Sequence, residues 1–361
     1  MRAVRSVQSV AATTPTKPTP PTPAPRRQGV AAEWDDRVLS SHSRPHFMQS
    51  STWERVRTAG PWHVVRREFG SGREHPALVF ERHVEGVGVL EHVPRLSGLG
   101  PGDVEAFTDR VRAERGVAFA SKVEVYQPRD EALIAAFAAA GWLPTRASQY
   151  RHAVVVEPAV GEERLLAAMK SRARAEIRAA ERNGVVAGRV ELSEENRSRM
   201  LDLMRETEER SGAFFRTGDY AERVWTAFAD DDRGHLYFAT HEGRVVAGAF
   251  VARFGPTAWY KDGGSLRDQP QLMASRLLQW SIMCDLAATG IERYDLGHVP
   301  SPSEPEAPGR GLLIFKRAFA SEVVEYMPAF FLAHEPGADD WRRGERDFLA
   351  DYHRRTGDYW Y

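Results

Sequence analysis

Cysteine is nearly missing from this chain of 361 residues: Cys284 stands alone, so no disulfide can form within it. It lies in an apolar helical run, 277–288, where a buried structural thiol is expected and not a nucleophile. An excess of either charge is missing too. Lys and Arg number 49 against 50 Asp and Glu, for a formal net charge of -1, which excludes a general nucleic-acid-coating protein and makes any polyanion contact local. No apolar run is long enough to span a membrane, and residues 1–30 lack the apolar core of a secretory signal. Neither a histidine pair nor a cysteine cluster has metal-ligand spacing, so no metal is expected. A nucleophile elbow and a Ser-His-Asp order are equally lacking.

What is present is length enough for two cores and a pattern that occurs twice. Residues 1–30 carry Pro15, Pro18, Pro20, Pro21, Pro23 and Pro25 among Thr and basic residues, a composition that cannot bury a core and is expected to be disordered. Beyond them, Ser50 or Ser51 can cap a short helix with Trp53 and Val56 inward. A strand at 62–69 follows, then a hairpin turning at Val84-Glu85-Gly86, a helix from Pro101, a strand at 117–126, an alanine-rich helix at 129–140 and a strand at 149–156. The order then returns. Helices at 193–210 and 219–229 lead to a hairpin turning at His241-Glu242-Gly243, a long helix at 271–288, a strand at 293–296, a short helix at 312–319 and a strand at 323–331. The repetition predicts an α/β (α+β) chain of two similar lobes in tandem, each a mixed sheet flanked by helices.

Between the two halves lies the stretch 169–185, MKSRARAEIRAAERNGV. As a helix it sets Lys170, Arg174, Arg178 and Arg182 four residues apart in one basic stripe, opposite an apolar face of Leu165, Met169, Ala173, Ile177 and Ala180. Two readings stand. The stripe is a solvated face paired with Glu176 and Glu181, or, since five positive residues face two negative ones between Lys170 and Arg182, it meets a polyanion, with phosphate the usual partner.

The hairpin, long helix, strand, helix, strand order of the second half resembles the GNAT acyltransferase fold. In an acyl-CoA enzyme of that fold a glycine-rich turn cradles pyrophosphate at a helix N-terminus. Here that position reads Arg267-Asp268-Gln269-Pro270-Gln271-Leu272-Met273-Ala274, where Pro270 removes a donor and Leu272 replaces a glycine. More specifically, Phe47-Met48-Gln49-Ser50 with Trp53, the basic helix, Tyr260-Lys261-Asp262-Gly263-Gly264-Ser265, Tyr294-Asp295-Leu296-Gly297 and Gly311-Leu312-Leu313-Ile314-Phe315-Lys316 together resemble the FemABX family of peptidoglycan-bridge aminoacyltransferases, in their order and over about residues 47–331. The similarity is to compact members without the coiled-coil arm.

The resemblance implies two GNAT-like lobes: residues 31–157 as the first, completed by 332–361, and 158–331 as the second. It implies a cytoplasmic enzyme that moves an amino acid from charged tRNA to a free amine of a peptidoglycan precursor peptide, with no cofactor besides aminoacyl-tRNA as co-substrate and no DNA partner. It puts the family's Phe-Lys lysine on Lys316 as a cation for the oxyanion of acyl transfer, and a hydroxyl for substrate on Tyr260. Arg57 and Arg210 become candidate phosphate ligands of the precursor, and Lys170, Arg174, Arg178 and Arg182 the tRNA contacts. Each has a plainer reading as a surface or sheet residue. Two positions depart from the family pattern: Gln127, which cannot serve as a carboxylate base before Pro128, and His298, where a glycine is common. Asp262 and Asp295 are the available carboxylates. The departures keep open the same chemistry on a secondary-metabolite peptide or amine. Acyl-thioester transfer, disfavoured by Pro270 and Leu272, and non-catalytic RNA binding through the basic helix complete the range of functions.

Overall fold

The computed structural model describes residues 29–70, 75–211, 216, 218–304, 306 and 308–361, so the segment expected to be disordered lies outside it up to residue 28. The chain opens with α1 (Val30–Ser41) and α2 (Ser51–Thr58), whose first turn is capped by Ser50 Oγ accepting from the Trp53 amide at 3.2 Å. β1 (His63–Phe69), β2 (His75–Val84) and β3 (Gly88–Leu96) form an antiparallel meander. After α3 (Val104–Glu114), β4 (Ala118–Val125) returns parallel to β3, and α4 (Glu131–Ala139) leads to the short β5 (Leu143–Thr145). The helix α3 drives Phe107 and Val111 into a core with Phe137 of α4 and Trp142.

β6 (His152–Val156) is expected to close this first lobe, yet it pairs with neither β4 nor β5. It lies in the second sheet. Past it come α5 (Glu162–Ala168), α6 (Ser171–Arg182), β7 (Val186–Val190), α7 (Glu194–Ser211) and α8 (Asp219–Asp230). The sheet continues through β8 (Gly234–His241), β9 (Arg244–Phe254) and β10 (Thr257–Ser265) to α9 (Ala274–Ala288), β11 (Arg293–His298) and α10 (Arg310–Lys316). The expected strand at 323–331 is two pieces, β12 (Val324–Glu325) in the second sheet and β13 (Ala329–Ala333) in the first. Pro328, which has no amide to donate, stands where the chain leaves one sheet for the other. α11 (Ala338–Thr356) then packs on the first sheet, where the fully buried Lys122 amine meets Glu345 at 2.5 Å.

The first sheet runs β1-β2-β3-β4-β13-β5 and the second β12-β6-β11-β10-β9-β8-β7. Each is antiparallel save for one parallel pair, β3 with β4 and β10 with β11. The lobes exchange a strand each way and share one apolar core: Phe47 meets Phe228 of α8 at 5.6 Å and Trp259 of β10 at 5.1 Å between ring centres. Two ion pairs, Asp35 with Arg233 at 2.6 Å and Arg55 with Asp231 at 2.9 Å, tie the same seam. The lobes are therefore held as one body.

Candidate active site

The site starts from a defect in the second sheet. β10 and β11 pair only from Thr257/Arg293 to Trp259/Asp295 and then part. On its other edge β10 carries a bulge: Tyr260 is opposite Val251 and Asp262 opposite Phe250, with Lys261 left over. A bulge re-aims side chains, and here Trp259, Tyr260, Lys261 and Asp262 all reach the same cavity. Gly263 is part of the device, since a Cβ there would sit 1.6 Å from the Tyr260 hydroxyl. At the opening, Gly297 has φ +74°, a region that favours glycine.

Lys316, the last residue of α10, fills the space behind this opening. Its side chain is buried, its Nζ donates to the His298 carbonyl at 2.9 Å, and it lies 5.7 Å from the centre of the Tyr260 ring. Burial lowers its pKa from 10.5 to about 7, against the pull of Asp295. Such an amine titrates at working pH, unlike an ordinary surface lysine. Tyr260, by burial and then the nearby Asp262, keeps its proton well above the usual phenol range. The two groups expected to act on the acyl carbonyl thus come together, Tyr260 on the cavity wall and Lys316 behind it.

The cavity, about 760 Å³, lies between the lobes. Arg57 reaches it from α2, buried, with its guanidinium 4.8 Å from the Trp62 ring centre. Burial brings its pKa down to about 10, against the favourable influence of the nearby Tyr220, and among the described residues it has no carboxylate partner. Arg216 lies 4.6 Å over the ring of the same Tyr220, donates to the Tyr359 carbonyl, and leaves its buried Nε without a partner. Lys261 completes the group. Burial opposes its charge, but Asp262 at 3.1 Å outweighs that and its pKa is raised. Three cations converge on one tyrosine; Asp262 pairs with Lys261 and Asp358 with Arg216 at 3.4 Å, which leaves Arg57 without a carboxylate among the described residues and the group suited to an anion.

Arg210 is not part of it. The residue is exposed, donates to the Ser265 carbonyl at 3.0 Å, and lies outside the cavity lining. Arg216, six residues on, lines the cavity instead.

The available carboxylates are occupied. Asp295 is fully buried and accepts from the Tyr126 hydroxyl at 2.6 Å, the Tyr326 hydroxyl at 2.8 Å and the Gly297 amide at 2.7 Å. Asp262 accepts from Trp225 Nε1 at 2.8 Å as well as from Lys261. Gln127 is spent on the 98–99 loop, accepting from the Gly98 and Leu99 amides at 2.8 and 3.1 Å. The His298 side chain is exposed and only its carbonyl meets Lys316.

The basic stretch forms α6 from Ser171, separated from α5 by a break at Met169-Lys170, and this alters the stripe. Lys170, Arg178 and Arg182 are exposed, whereas Arg174 turns inward and donates to the Leu166 carbonyl at 3.1 Å and to that of Met169, closing the end of α5. Glu176 is shared between Arg172 at 2.8 Å and Arg276 at 2.7 Å. The N-terminal end of α6 adjoins α10, with the Lys170 amide donating to the Ala318 carbonyl at 3.0 Å. The exposed cations therefore lie on the Lys316 side of the second sheet.

A tandem arrangement of GNAT-like sheets with a site at the parting of two parallel strands is what the fold defines. The family model for the acetyltransferase (GNAT) domain matches residues 167–305. The fold is similar to that in a crystal structure of FemX, with a TM-score of 0.75, 17% identity, and coverage of 85% of this chain and 96% of that one. It also resembles the C-terminal domain of a putative lysylphosphatidylglycerol synthetase from Agrobacterium fabrum, with a TM-score of 0.53, 17% identity, and 90% and 96% coverage. In sequence it is 28% identical over 119 residues to the UDP-N-acetylmuramoylpentapeptide-lysine N(6)-alanyltransferase of Weissella viridescens, a match spanning 32% of this chain and 32% of that relative. The FemABX resemblance read from the motifs holds at the level of the fold, and the chain is FemABX-like.

Proposed function

We propose that this protein is an aminoacyltransferase that takes an amino acid from charged tRNA and joins it to a free amine of a peptidoglycan precursor peptide. The observation that carries the proposal is the parting of β10 and β11, with a buried amine on one side and a cationic, aromatic cavity on the other. The aminoacyl ester approaches from the Lys316 side and the acceptor peptide occupies the cavity, its diphosphate between Arg57, Arg216 and Lys261. A neutral acceptor amine attacks the ester carbonyl; a C–N bond forms, the ester C–O bond breaks, and the proton lost by the amine is gained by the leaving ribose oxygen. Lys316, as ammonium, offsets the charge of the tetrahedral oxyanion. Similarity to a relative whose name states alanyl transfer to a UDP-linked muramoyl pentapeptide supports the acceptor class.

The exposed cations of α6 fit the tRNA. Charge reversal at Arg178→Glu with Arg182→Glu should raise the KM for charged tRNA and reduce the salt dependence of log KM by about 1 to 2, the slope expected for two lost phosphate contacts. An unchanged slope returns the stripe to a solvated face. Arg174→Glu is unsuitable for this purpose, because that side chain closes α5.

The reaction class is tested by incubating the protein with total tRNA, a synthetase mixture, labelled amino acids and a UDP-linked muramyl pentapeptide. An RNase-sensitive mass gain on the peptide is the expected result. If the peptide gains nothing while another amine does, the acceptor assignment is wrong and the donor chemistry stands.

A further inference from the structure

His46 is a histidine that the reaction above does not use. It precedes the short 3-10 turn Phe47–Gln49, and its Nδ1 accepts from the Met48 amide at 3.0 Å, a capping bond. An imidazole nitrogen that accepts from an amide carries no proton, so in the neutral ring the proton is on Nε2. The ring is fixed on three sides: its centre is 4.4 Å from Phe47, 4.6 Å from Tyr126 and 4.7 Å from Trp259. Burial, with Arg95 adding to it, holds the pKa well below 6.5, so the ring stays uncharged. Nε2 has no hydrogen-bond partner within the described protein, and the residue lies on the cavity wall against Trp259, one position before Tyr260. His46 lines the cavity, so a donor there without a protein partner is available to an acceptor placed in that space.

We propose that His46 is a fixed, neutral hydrogen-bond donor whose Nε2–H holds a carbonyl oxygen of the acceptor peptide against the opening between β10 and β11. This rests on the aminoacyl-transfer reading above. The chemistry selects the ligand: an N–H donor rejects a cation, and the aromatic rings of Phe47 and Trp259 suit a neutral amide better than a hydrated anion. Arg57, Arg216 and Lys261, three of the cations lining the cavity, gather around Tyr220 and not around this ring.

Two substitutions separate the capping role from the substrate role. His46→Asn puts an oxygen near the position of Nδ1 and keeps the bond from Met48 while deleting the donor. His46→Gln reaches the position of Nε2 with an amide N–H and gives up the cap. The first should melt as the wild type does and raise the KM for the muramyl peptide on the order of tenfold, the factor expected for one hydrogen bond, with the KM for charged tRNA unchanged. His46→Gln should lose stability yet keep a KM for the peptide near that of the wild type. Equal KM values for His46→Asn and wild type overturn the proposal, and so do equal increases in both variants, which would mean packing alone. An independent arm uses nitrogen NMR of the labelled imidazole: the Nε2–H tautomer, unchanged from pH 5 to 8, is expected, and an Nδ1–H tautomer or a ring that titrates in that range contradicts it. If the wild type transfers nothing from any charged tRNA, the functional reading fails. Calorimetric binding of the pentapeptide to wild type and His46→Asn then still decides the role of His46, by a tenfold weaker Kd in the variant or none.

Discussion

Replacing Lys316 by methionine should abolish transfer, by a hundred- to a thousandfold in kcat, in a protein at least as stable as the wild type. The first half follows from the proposed role of Lys316 at the acyl carbonyl, where a lost oxyanion donor costs about 3 kcal/mol. The second half follows from burial. The ammonium is held from water by α10 and the opening between β10 and β11, and its only hydrogen-bond partner among the described residues is the His298 carbonyl. Removing such a charge should stabilise the fold by on the order of 1–3 kcal/mol. The folded-state pKa is about 7 against 10.5 for the free side chain, so between those values the unfolded chain binds the proton and the folded chain does not, and wild-type stability rises with pH. The advantage of Lys316→Met is therefore largest below pH 7 and shrinks towards pH 10. Activity runs the other way: the ammonium needed for the oxyanion is lost above about pH 7, giving kcat/KM for the wild type a falling limb there. Urea melts of both proteins at pH 6 and 9, beside a pH–rate profile, check all of it. Full activity in Lys316→Met would remove Lys316 from the chemistry.

The second large effect belongs to Arg57. Arg57→Met should raise the KM for a UDP-linked muramyl pentapeptide about a hundredfold while leaving the KM for the same muramyl peptide without its nucleotide diphosphate unchanged. A buried guanidinium stacked on Trp62, close to Tyr220 and lacking a carboxylate among the described residues is held ready for an anion. Two charge-assisted hydrogen bonds at roughly 1.5 kcal/mol each give a factor of that size. Methionine keeps the volume between Trp53, Trp62 and Phe80, so the aromatic wall remains. Steady-state kinetics with the two acceptors gives the answer. An equal increase for both would mean that Arg57 supports the wall and not the diphosphate.

How much of this is legible in the sequence depends on whether the information is local. The hairpin turns, the Ser50 cap and the long helices follow from nearby residues, and the structure has them within a few positions. The order of motifs carries the fold. What local pattern cannot give is which sheet a strand joins. β6 and the 323–331 stretch are ordinary apolar runs, and only the pairing of β6 with β11 and β12, and of β13 with β4, reveals the exchange between lobes. The site divides likewise. Tyr260 and Lys316 lie in motifs, and the structure brings them to 5.7 Å between amine and ring centre. Arg216, which lines the cavity where Arg210 does not, has no local signal that would single it out. His46 is overlooked although it directly precedes the Phe47-Met48-Gln49-Ser50 motif; its meaning comes from Trp259 and Tyr126, distant in the chain. The break at Met169-Lys170 is hidden by good helix formers on both sides, and it moves Arg174 from the stripe to a cap.

The central claim is the donor. Purified protein, a UDP-linked muramyl pentapeptide and a single labelled donor, offered either as aminoacyl-tRNA or as the same acyl group on coenzyme A, would be compared in single-turnover reactions at matched concentrations. The ion pair of Glu176 with Arg276 at the first turn of α9, beside the buried Leu272, leaves a pyrophosphate poorly received there. Label should therefore pass to the peptide from tRNA and not from the thioester; passage from the thioester alone would contradict the account.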